Sequence, residues 1–448
     1  MKGFWIMLVA FTTMGALAAS QNAAGAPQGI FPYKYQVKTM ANKLKVILIP
    51  MESKGLVSYY SVVRTGSRDE YEKGHTGFAH FFEHMMFRGT KTYPGTIYDH
   101  MMTEMGADAN AYTTDDYTCF HLNFTKEDLD TVMKLESDRF MNLWYTEQAF
   151  KTEAGAVHGE YLKGLSSPWS HLEEKLMETA FKKHTYRHTT IGFRKDIEAM
   201  PSMYKYSLNF HKRYYRPENV VLLIVGDIDP ATTFEKVQKY YGSWKTGYVA
   251  PKIPKEPKQT KERRAQVIFS GRTLPILTIA YKGLAYDPEN IDYAAIDIFN
   301  DLAFGETSEI YKKLVIKEQR VQFLSANLGM NRDPNLITIF TMVRDQNDVG
   351  NIEHEIENTI LKFQQKLVSP EKINIQRDHS KYGFLMNLDT PEKVAGGLAR
   401  IVAITDGINA IDKYYATLEK VTPEDIQKVA KKYFIKQKRT VVVLKGGK

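Results

Sequence analysis

Residues 77–87 read GFAHFFEHMMF, a run that is apolar except for His80, Glu83 and His84. Apolar residues on nearly every side predict a buried helix within residues 74–87. On such a helix His80 and His84 lie on one face, with Cβ atoms ~5–6 Å apart, and can bind a single metal ion. Glu83 reaches the same place without having to be a ligand. The pattern predicts a hydrolytic zinc site, in which the metal lowers the pKa of a water to ~7 and a carboxylate takes its proton.

The alternative interpretation of this run is a pair of structural histidines, hydrogen-bonded to Glu83 or to the backbone. Burial of a carboxylate and two imidazoles is costly unless each of these groups has a partner. A metal ion would satisfy all three groups at once, so the pattern favours a metal site. A third ligand must then come from elsewhere, because catalytic zinc usually has three protein ligands and an open position for water.

A second predicted helix, residues 147–163, supplies candidates for that ligand. Glu153 and Glu160 are seven residues apart and therefore project from one face, next to an apolar stripe that includes Val157 and Leu162. One carboxylate could bind zinc while the other supports a ligand from behind. Two glutamates on a helix are more often solvated, and only the companion histidine pattern favours an inward-facing pair.

The two halves of the chain repeat a similar order of elements around a segment rich in proline and lysine, residues 246–264. A predicted strand (57–64 in the first half, 276–282 in the second) is followed by a polar loop and an apolar helix. The repeat predicts a duplicated α+β domain, with residues 30–245 and 265–448 as the two copies and 246–264 as their linker. Chance similarity of common elements is the alternative.

The first 20 residues have the pattern of a cleavable secretory signal. Lys2 precedes an apolar run from Phe4 to Ala19, and small residues at 16 and 18 suit a cleavage site. A membrane anchor is the alternative, but the run is shorter than the ~20 residues that span a bilayer. We expect a periplasmic or secreted protein with no stable membrane span after cleavage.

The single cysteine and the net charge bear on two other kinds of function, cysteine chemistry and nucleic-acid binding. Cys119 lies in an alternating stretch, residues 116–122, that predicts a half-buried strand cysteine with a structural role, and one cysteine cannot form an intramolecular disulfide. The net charge of +8 is spread along the chain and is densest in residues 252–264. Without a basic helix carrying interleaved aromatic residues, nucleic-acid binding is not expected.

The His-x-x-Glu-His order, the reverse of the commoner zinc motif, resembles the pitrilysin–insulinase family of zinc peptidases (inverzincins), which includes the mitochondrial processing peptidases. Glu160 lies 76 residues after His84, and Glu153 lies seven before Glu160, which are the spacings of that family. Three further segments are similar: GADANAYT at 106–113, HTYRHTTIG at 184–192 and YRPEN at 215–219. The resemblance covers nearly the whole chain after the signal.

This resemblance implies a zinc metalloendopeptidase with one Zn²⁺ per chain, held by His80, His84 and Glu160. It makes Glu83 the general base, which then delivers the proton to the leaving amine, and Glu153 the supporting carboxylate. It also implies two homologous domains in the α+β class, each a mostly antiparallel sheet covered by helices.

The family binds its substrate as an added strand on a sheet edge beside the zinc helix. Asn110 and Ala111 match the edge positions, which implies binding of extended peptides or unfolded segments through the backbone. The alternative for Asn110 is an ordinary turn residue.

The sequence departs from the family in its second half. Many members carry an Arg and a Tyr seven residues apart there, whereas this chain has Val315 and Gln322 at those positions. In the two-chain branch of the family, the zinc motif and the Arg/Tyr pair lie on different chains. We therefore expect a homologous partner subunit that carries the pair, with a homodimer as an alternative. The competing function is a non-catalytic or weakly active assembly subunit of a heterodimeric peptidase.

Overall fold

A computed structural model describes residues 29–405 and 407–447, so the predicted signal at 1–20 lies outside the described residues. The first half contributes six strands: β1 Gln36–Thr39, β2 Lys45–Pro50, β3 Leu56–Val63, β4 Asp108–Thr113, β5 Thr118–Thr125 and β6 Val220–Gly226. Its α-helices are α1 Phe78–Met85, α2 Gly95–Glu104, α3 Leu129–Asn142, α4 Glu147–Gly164, α5 Pro168–Ala180, α6 Arg194–Ala199, α7 Tyr204–Tyr214 and α8 Pro230–Tyr241.

The second half contributes five strands: β7 Arg263–Phe269, β8 Ile276–Lys282, β9 Val321–Leu328, β10 Leu336–Val343 and β11 Arg439–Gly446. Its helices are α9 Ile291–Phe304, α10 Glu309–Tyr311, α11 Val349–Gln365, α12 Pro370–Met386, α13 Pro391–Ile404, α14 Asn409–Leu418 and α15 Pro423–Tyr433. A π-helical turn, Lys312–Lys317, continues α10.

The two sheets have the same strand order. The first runs β1-β2-β6-β3-β5-β4 and the second β7-β11-β8-β10-β9, so β2 to β6 correspond one by one to β7 to β11. Each sheet has one parallel pair, β2 with β6 and β7 with β11, and its other neighbours are antiparallel. The α+β class and the duplication, in two mostly antiparallel domains, are thus confirmed.

The central strands are buried on both faces because each half covers the other's sheet. Along β3, Tyr59 and Val63 face the helices of the first half, whereas Tyr60 and Val62 belong to a cluster with α13 of the second half. Conversely, α5 of the first half packs on β7 and β11. Burial on both faces explains why β6 reads as the continuous apolar run VVLLIVG.

The segment between the sheets has no strand or helix from residue 242 until β7 begins at Arg263, one residue before the predicted end of the linker. Glu256 accepts backbone N–H bonds from Lys182, Lys183 and His184 at 2.9–3.2 Å. Gln259 Nε2 donates to the carbonyl of Arg439 at 2.7 Å. The segment is therefore fixed against both halves.

Cys119 on β5 is fully buried, so the prediction of a half-buried cysteine was wrong. Cys119 lies in a core cluster shared with the second half of the chain. Burial raises the pKa of its thiol to about 12, which leaves it unreactive. Within residues 29–405 and 407–447, no single helix has the length and apolar composition to cross a bilayer. Helices α13 and α14 meet those criteria only together, across a bend of 86°.

Candidate metal centre

The helix that carries the histidines begins later than the sequence predicted, because Gly77 stands before it in a left-handed conformation, with φ of 90°. A Cβ at Gly77 would lie 2.5 Å from the carbonyl oxygen of Ile191, and one at Gly192 would lie 2.7 Å from the amide nitrogen of Gly77. Only glycine fits this backbone-to-backbone contact. The contact sets the start of α1 at Phe78 and brings the segment 184–192 against it.

Glu70 binds the free amides at the start of α1. Its Oε2 accepts from the amide of Gly77 at 2.8 Å and its Oε1 from that of Ala79 at 2.6 Å. Burial raises the pKa of this carboxyl to about 8, although the two backbone N–H groups act in the opposite direction. Glu70 was not predicted from the sequence, since a residue that caps a helix from eight positions before its first residue has no local spacing signal.

Three predicted ligands converge on one point. Nε2 of His80 and Nε2 of His84 lie 3.6 Å and 3.4 Å from Oε2 of Glu160. One donor atom from each residue lies within 4.8 Å of the others. Two imidazoles, one carboxylate and an open side towards solvent are the donor set of a catalytic zinc site. The residues present therefore fit this metal.

The two glutamates of α4 differ in exposure. Glu153 is buried, whereas the Glu160 side chain is 48% exposed and reaches the histidines from the rim. Val157 is buried between them, but Leu162 is exposed, so the predicted apolar stripe was wrong at that residue. The prediction of an inward-facing pair therefore holds by burial for Glu153 only.

Glu153 supports His84 from behind. The Nδ1–H of His84 donates to Oε1 of Glu153 at 3.0 Å, and Nε of Arg88 donates to Oε2 of Glu153 at 2.6 Å. Burial alone would raise the pKa of Glu153, but these two bonds outweigh it and lower that pKa. The hydrogen bond to Glu153 raises the pKa of His84, whereas burial lowers that of His80. A proton on Nδ1 of His84 leaves the lone pair of Nε2 directed towards Glu160.

Glu83 faces the end of β4. Its Oε2 accepts a hydrogen bond from Oγ1 of Thr113 at 2.6 Å. The spacing of the histidines says nothing about Thr113, because a contact between residues 30 apart in sequence depends on the fold. A shallow cleft of about 340 Å³ beside Glu83 is lined also by Phe87, Arg88 and Asp99.

Asn110 and Ala111 lie on β4, which is the outermost strand of the first sheet and packs beside α1. The amide of Ala111 donates to Oδ1 of Asn110 at 2.8 Å and so points away from β5. Asn110 is therefore a strand residue and not a turn residue, and its side chain is exposed. A free edge with an outward amide is geometrically able to accept an added strand.

The second half offers no arginine or tyrosine at the two positions that departed from the family. Val315 is half-buried in the π-helical turn, and Gln322 is exposed on β9. The nearby Arg320 is bound to both carboxylate oxygens of Asp348, at 2.6 and 2.7 Å. Phe323 packs against Trp169, with ring centroids 6.0 Å apart.

Two models of known protein families match this chain. The model described as Insulinase (Peptidase family M16) matches residues 45–193, and that described as Peptidase M16 inactive domain matches residues 204–378. The chain belongs to the insulinase family of peptidases, M16, as the His-x-x-Glu-His resemblance implied.

Individual relatives agree with this assignment. Zinc protease PqqE of Helicobacter pylori is 29% identical over 441 residues, which are 96% of each chain. The crystal structure of a protease from Helicobacter pylori superposes with a TM-score of 0.86 at 26% identity, covering 92% of this chain and all of that one. The periplasmic protease PqqL from Escherichia coli has a TM-score of 0.74 at 17% identity. That match covers 92% of this chain and 48% of PqqL, and it shows the fold alone.

Proposed function

We propose that the chain is a zinc metalloendopeptidase with one zinc per chain, which hydrolyses extended peptides or unfolded segments. The observation that carries the proposal is the convergence of His80, His84 and Glu160, with one donor atom of each within 4.8 Å of the others. Relatives named as zinc proteases support the choice of metal. Glu83 and Glu153 complete the proposed catalytic set.

In the proposed mechanism, His80, His84 and Glu160 would hold a zinc ion, which would supply Lewis-acid chemistry for activating a water and polarising the scissile carbonyl. Glu83 accepts the proton of the attacking water on the oxygen that Thr113 does not bind, and delivers it to the leaving amine. Glu153 keeps the His84 ring in place and its proton on Nδ1. Glu83 lies on α1 between His80 and His84, so its carboxylate is on the same helix as the two proposed histidine ligands.

The substrate is proposed to bind along β4, with its backbone pairing with the outward groups of Ala111. For this to happen, Oδ1 of Asn110 must release the amide of Ala111, which it binds at 2.8 Å. Recognition through the backbone accepts many sequences but requires an extended chain. Folded segments are therefore poor substrates.

Zinc content and peptide cleavage of the purified chain test this proposal. We expect about one zinc per chain, cleavage of an unfolded peptide, loss of cleavage on chelation and recovery when zinc is restored. A chain that binds no zinc after incubation with the metal would contradict the proposal. A chain that binds zinc and never cleaves, with or without a homologous partner, would instead favour the alternative, a non-catalytic assembly subunit.

A homologous partner subunit that carries the Arg/Tyr pair is proposed to complete the site. Support comes from Val315 and Gln322, which cannot replace that pair, and from the engagement of Arg320 with Asp348. The match to 48% of PqqL is consistent with a paired arrangement of two such units. Equal activity of the chain with and without a coexpressed homologue would rule out the partner, and a homodimer would appear as a doubled mass in solution.

Location and domain limits are proposed with the function. We assign residues 1–20 to a signal peptide, 30–245 to the catalytic domain, 246–264 to the linker and 265–448 to a homologous non-catalytic domain. Similarity to a periplasmic protease supports a periplasmic or secreted location. Mass spectrometry of the protein from fractionated cells tests both the location and the cleavage.

A further inference from the structure

The hydroxyl of Thr113 donates a hydrogen bond to Glu83, the proposed general base. Thr113 is the last residue of β4, and its Oγ1 donates to Oε2 of Glu83 at 2.6 Å. The neighbouring hydroxyl of Thr118 directs its own proton to the carbonyl of Thr65, at 3.0 Å. Oγ1 of Thr118 is also 3.5 Å from Oγ1 of Thr113. The carboxylate of Glu83 is the closer and the stronger acceptor, so it receives the proton of Thr113. A carboxylate held at one oxygen presents the other in a fixed direction.

The turn that follows Thr113 is fixed by its own backbone and by the start of the loop after β3. The amide of Thr114 donates to the carbonyl of Tyr117 at 2.8 Å, which closes the β4–β5 hairpin. The amide of Arg68 donates to the carbonyl of Asp115 at 2.8 Å. A Cβ on Gly66 would lie 2.3 Å from the carbonyl oxygen of Thr114, so the turn lies directly on this backbone.

The second half of the chain holds the same turn through the fully buried carboxylate of Asp116. Nδ2 of Asn331 donates to Oδ2 of Asp116 at 2.9 Å, and Nη2 of Arg332 donates to its carbonyl at 2.6 Å. Tyr186 donates its hydroxyl to the other carboxylate oxygen at 2.8 Å. Asn331 and Arg332 lie in the loop between β9 and β10, so the non-catalytic half contacts the hairpin three residues from Thr113.

A second set of bonds holds this loop in place. Oδ2 of Asp333 accepts from Nε of Arg68 at 2.6 Å and lies 3.0 Å from Nε2 of His184. Nη2 of Arg332 also donates to the carbonyl of Arg64 at 2.7 Å. The loop therefore spans the end of β3, the hairpin turn and the segment 184–192 that contacts α1.

We propose that Thr113 is a positioning residue for Glu83, and that the second half of the chain sets the position of this base by holding the β4–β5 turn at Asp116. The proposal rests on the proposed peptidase function for its consequence in catalysis. It gives the non-catalytic half a role in the chemistry that does not require catalytic groups of its own.

The first test replaces the hydroxyl in the full chain. Thr113→Val keeps the shape and removes the donor, and Thr113→Ser restores it. We expect the valine variant to bind one zinc and to lose roughly tenfold to hundredfold in kcat with little change in KM, and the serine variant to recover most of that loss. A valine variant with full kcat would overturn the role of Thr113.

The second test acts from the other half of the chain. Asn331→Asp is nearly isosteric but places a second carboxylate against Asp116, which should displace the loop from the turn. Trp169→Ala is the matched control, because it removes a contact between the halves, at Phe323 of β9 and Phe340 of β10, that is not made through Asp116. We expect a loss of kcat for the aspartate variant only. Equal effects of the two variants on kcat would overturn the link through Asp116.

Crystal structures of the same zinc-loaded variants give a readout that does not depend on turnover. Glu83 should leave its position in Thr113→Val and in Asn331→Asp and should keep it in Thr113→Ser. An unmoved Glu83 in both of the first two variants would overturn the proposal even in a chain that cleaves nothing. A peptide cleaved by the wild type but not by Glu83→Gln separates this failure from failure of the proposed function.

Discussion

The Nδ1 atom of His84 lies 3.0 Å from Oε1 of the buried Glu153, while Nε2 of the same ring lies 3.4 Å from Oε2 of Glu160. One ring nitrogen is thus bound to a carboxylate that is fixed in the core, and the other nitrogen points to the proposed metal position. Arg88 holds the second oxygen of Glu153. The orientation of this proposed ligand is therefore set before any metal binds.

Replacement of Glu153 by Gln should weaken zinc binding without abolishing it. The amide no longer draws the proton to Nδ1 of His84, and loss of such a supporting carboxylate typically costs 10–100-fold in metal affinity. Competition with a chelator of known affinity measures the change. Glu147→Gln, on the exposed start of the same helix and paired with Lys151, is the control and should match the wild type.

Replacement of Glu160 by Gln should remove zinc and leave the fold intact. Glu160 is exposed, so its loss leaves no cavity and no buried unpaired group. A neutral amide oxygen is a poor substitute for the carboxylate that balances the charge of zinc. Metal analysis after dialysis, together with thermal unfolding of the zinc-free chains, checks both parts. Retention of one zinc per chain would remove Glu160 from the ligand set.

Replacement of Gly77 by Ala should destabilise the start of the zinc helix. The residue has φ of 90°, and a Cβ would lie 2.5 Å from the carbonyl oxygen of Ile191, so the free energy of unfolding should fall by at least about 1–3 kcal/mol. Gly155→Ala is the control, because Gly155 lies within α4 and its Cβ would meet nothing within 4 Å. That change should stabilise the chain by up to about 1 kcal/mol. Denaturant unfolding that finds both changes neutral would refute this account of α1.

Glu70 should make the stability of the chain fall as pH rises. Burial raises its pKa to about 8 in the folded chain, against about 4.3 in the unfolded chain. Between these two pKa values the folded chain binds one more proton than the unfolded chain. The stabilisation that comes from Glu70 is therefore complete at low pH and is lost as pH rises through about 8. Glu70→Gln cannot titrate. We expect the free energy of unfolding of the wild type, minus that of the variant, to be larger at pH ~5.5 than at pH ~8.5. An equal difference at the two pH values would contradict this prediction.

The local sequence pattern was sufficient to predict the two helices that carry the proposed ligands. The spacing of His80 and His84 places both on one helical face, and the spacing of Glu153 and Glu160 does the same on α4. The hairpin of β4 and β5 follows the same rule, because alternating apolar residues on each side of a polar turn define it without any distant partner.

Features that depend on distant segments were not accessible from the sequence. Gly77 and Glu70 owe their roles to residues that only the folded chain brings beside α1. Cys119 was expected to be half-buried because an alternating strand usually has one solvated face. Here that face packs into a core cluster shared with the second half of the chain.

The most direct test of the central claim is the zinc content and peptide cleavage of the wild type and Glu83→Gln, measured on the same preparations with any required partner present. We predict about one zinc per chain in both proteins, and a loss of at least about a hundredfold in kcat/KM in the variant. A Glu83→Gln chain that binds zinc and cleaves at the wild-type rate would contradict the assignment of Glu83 as the base, and with it the proposed mechanism.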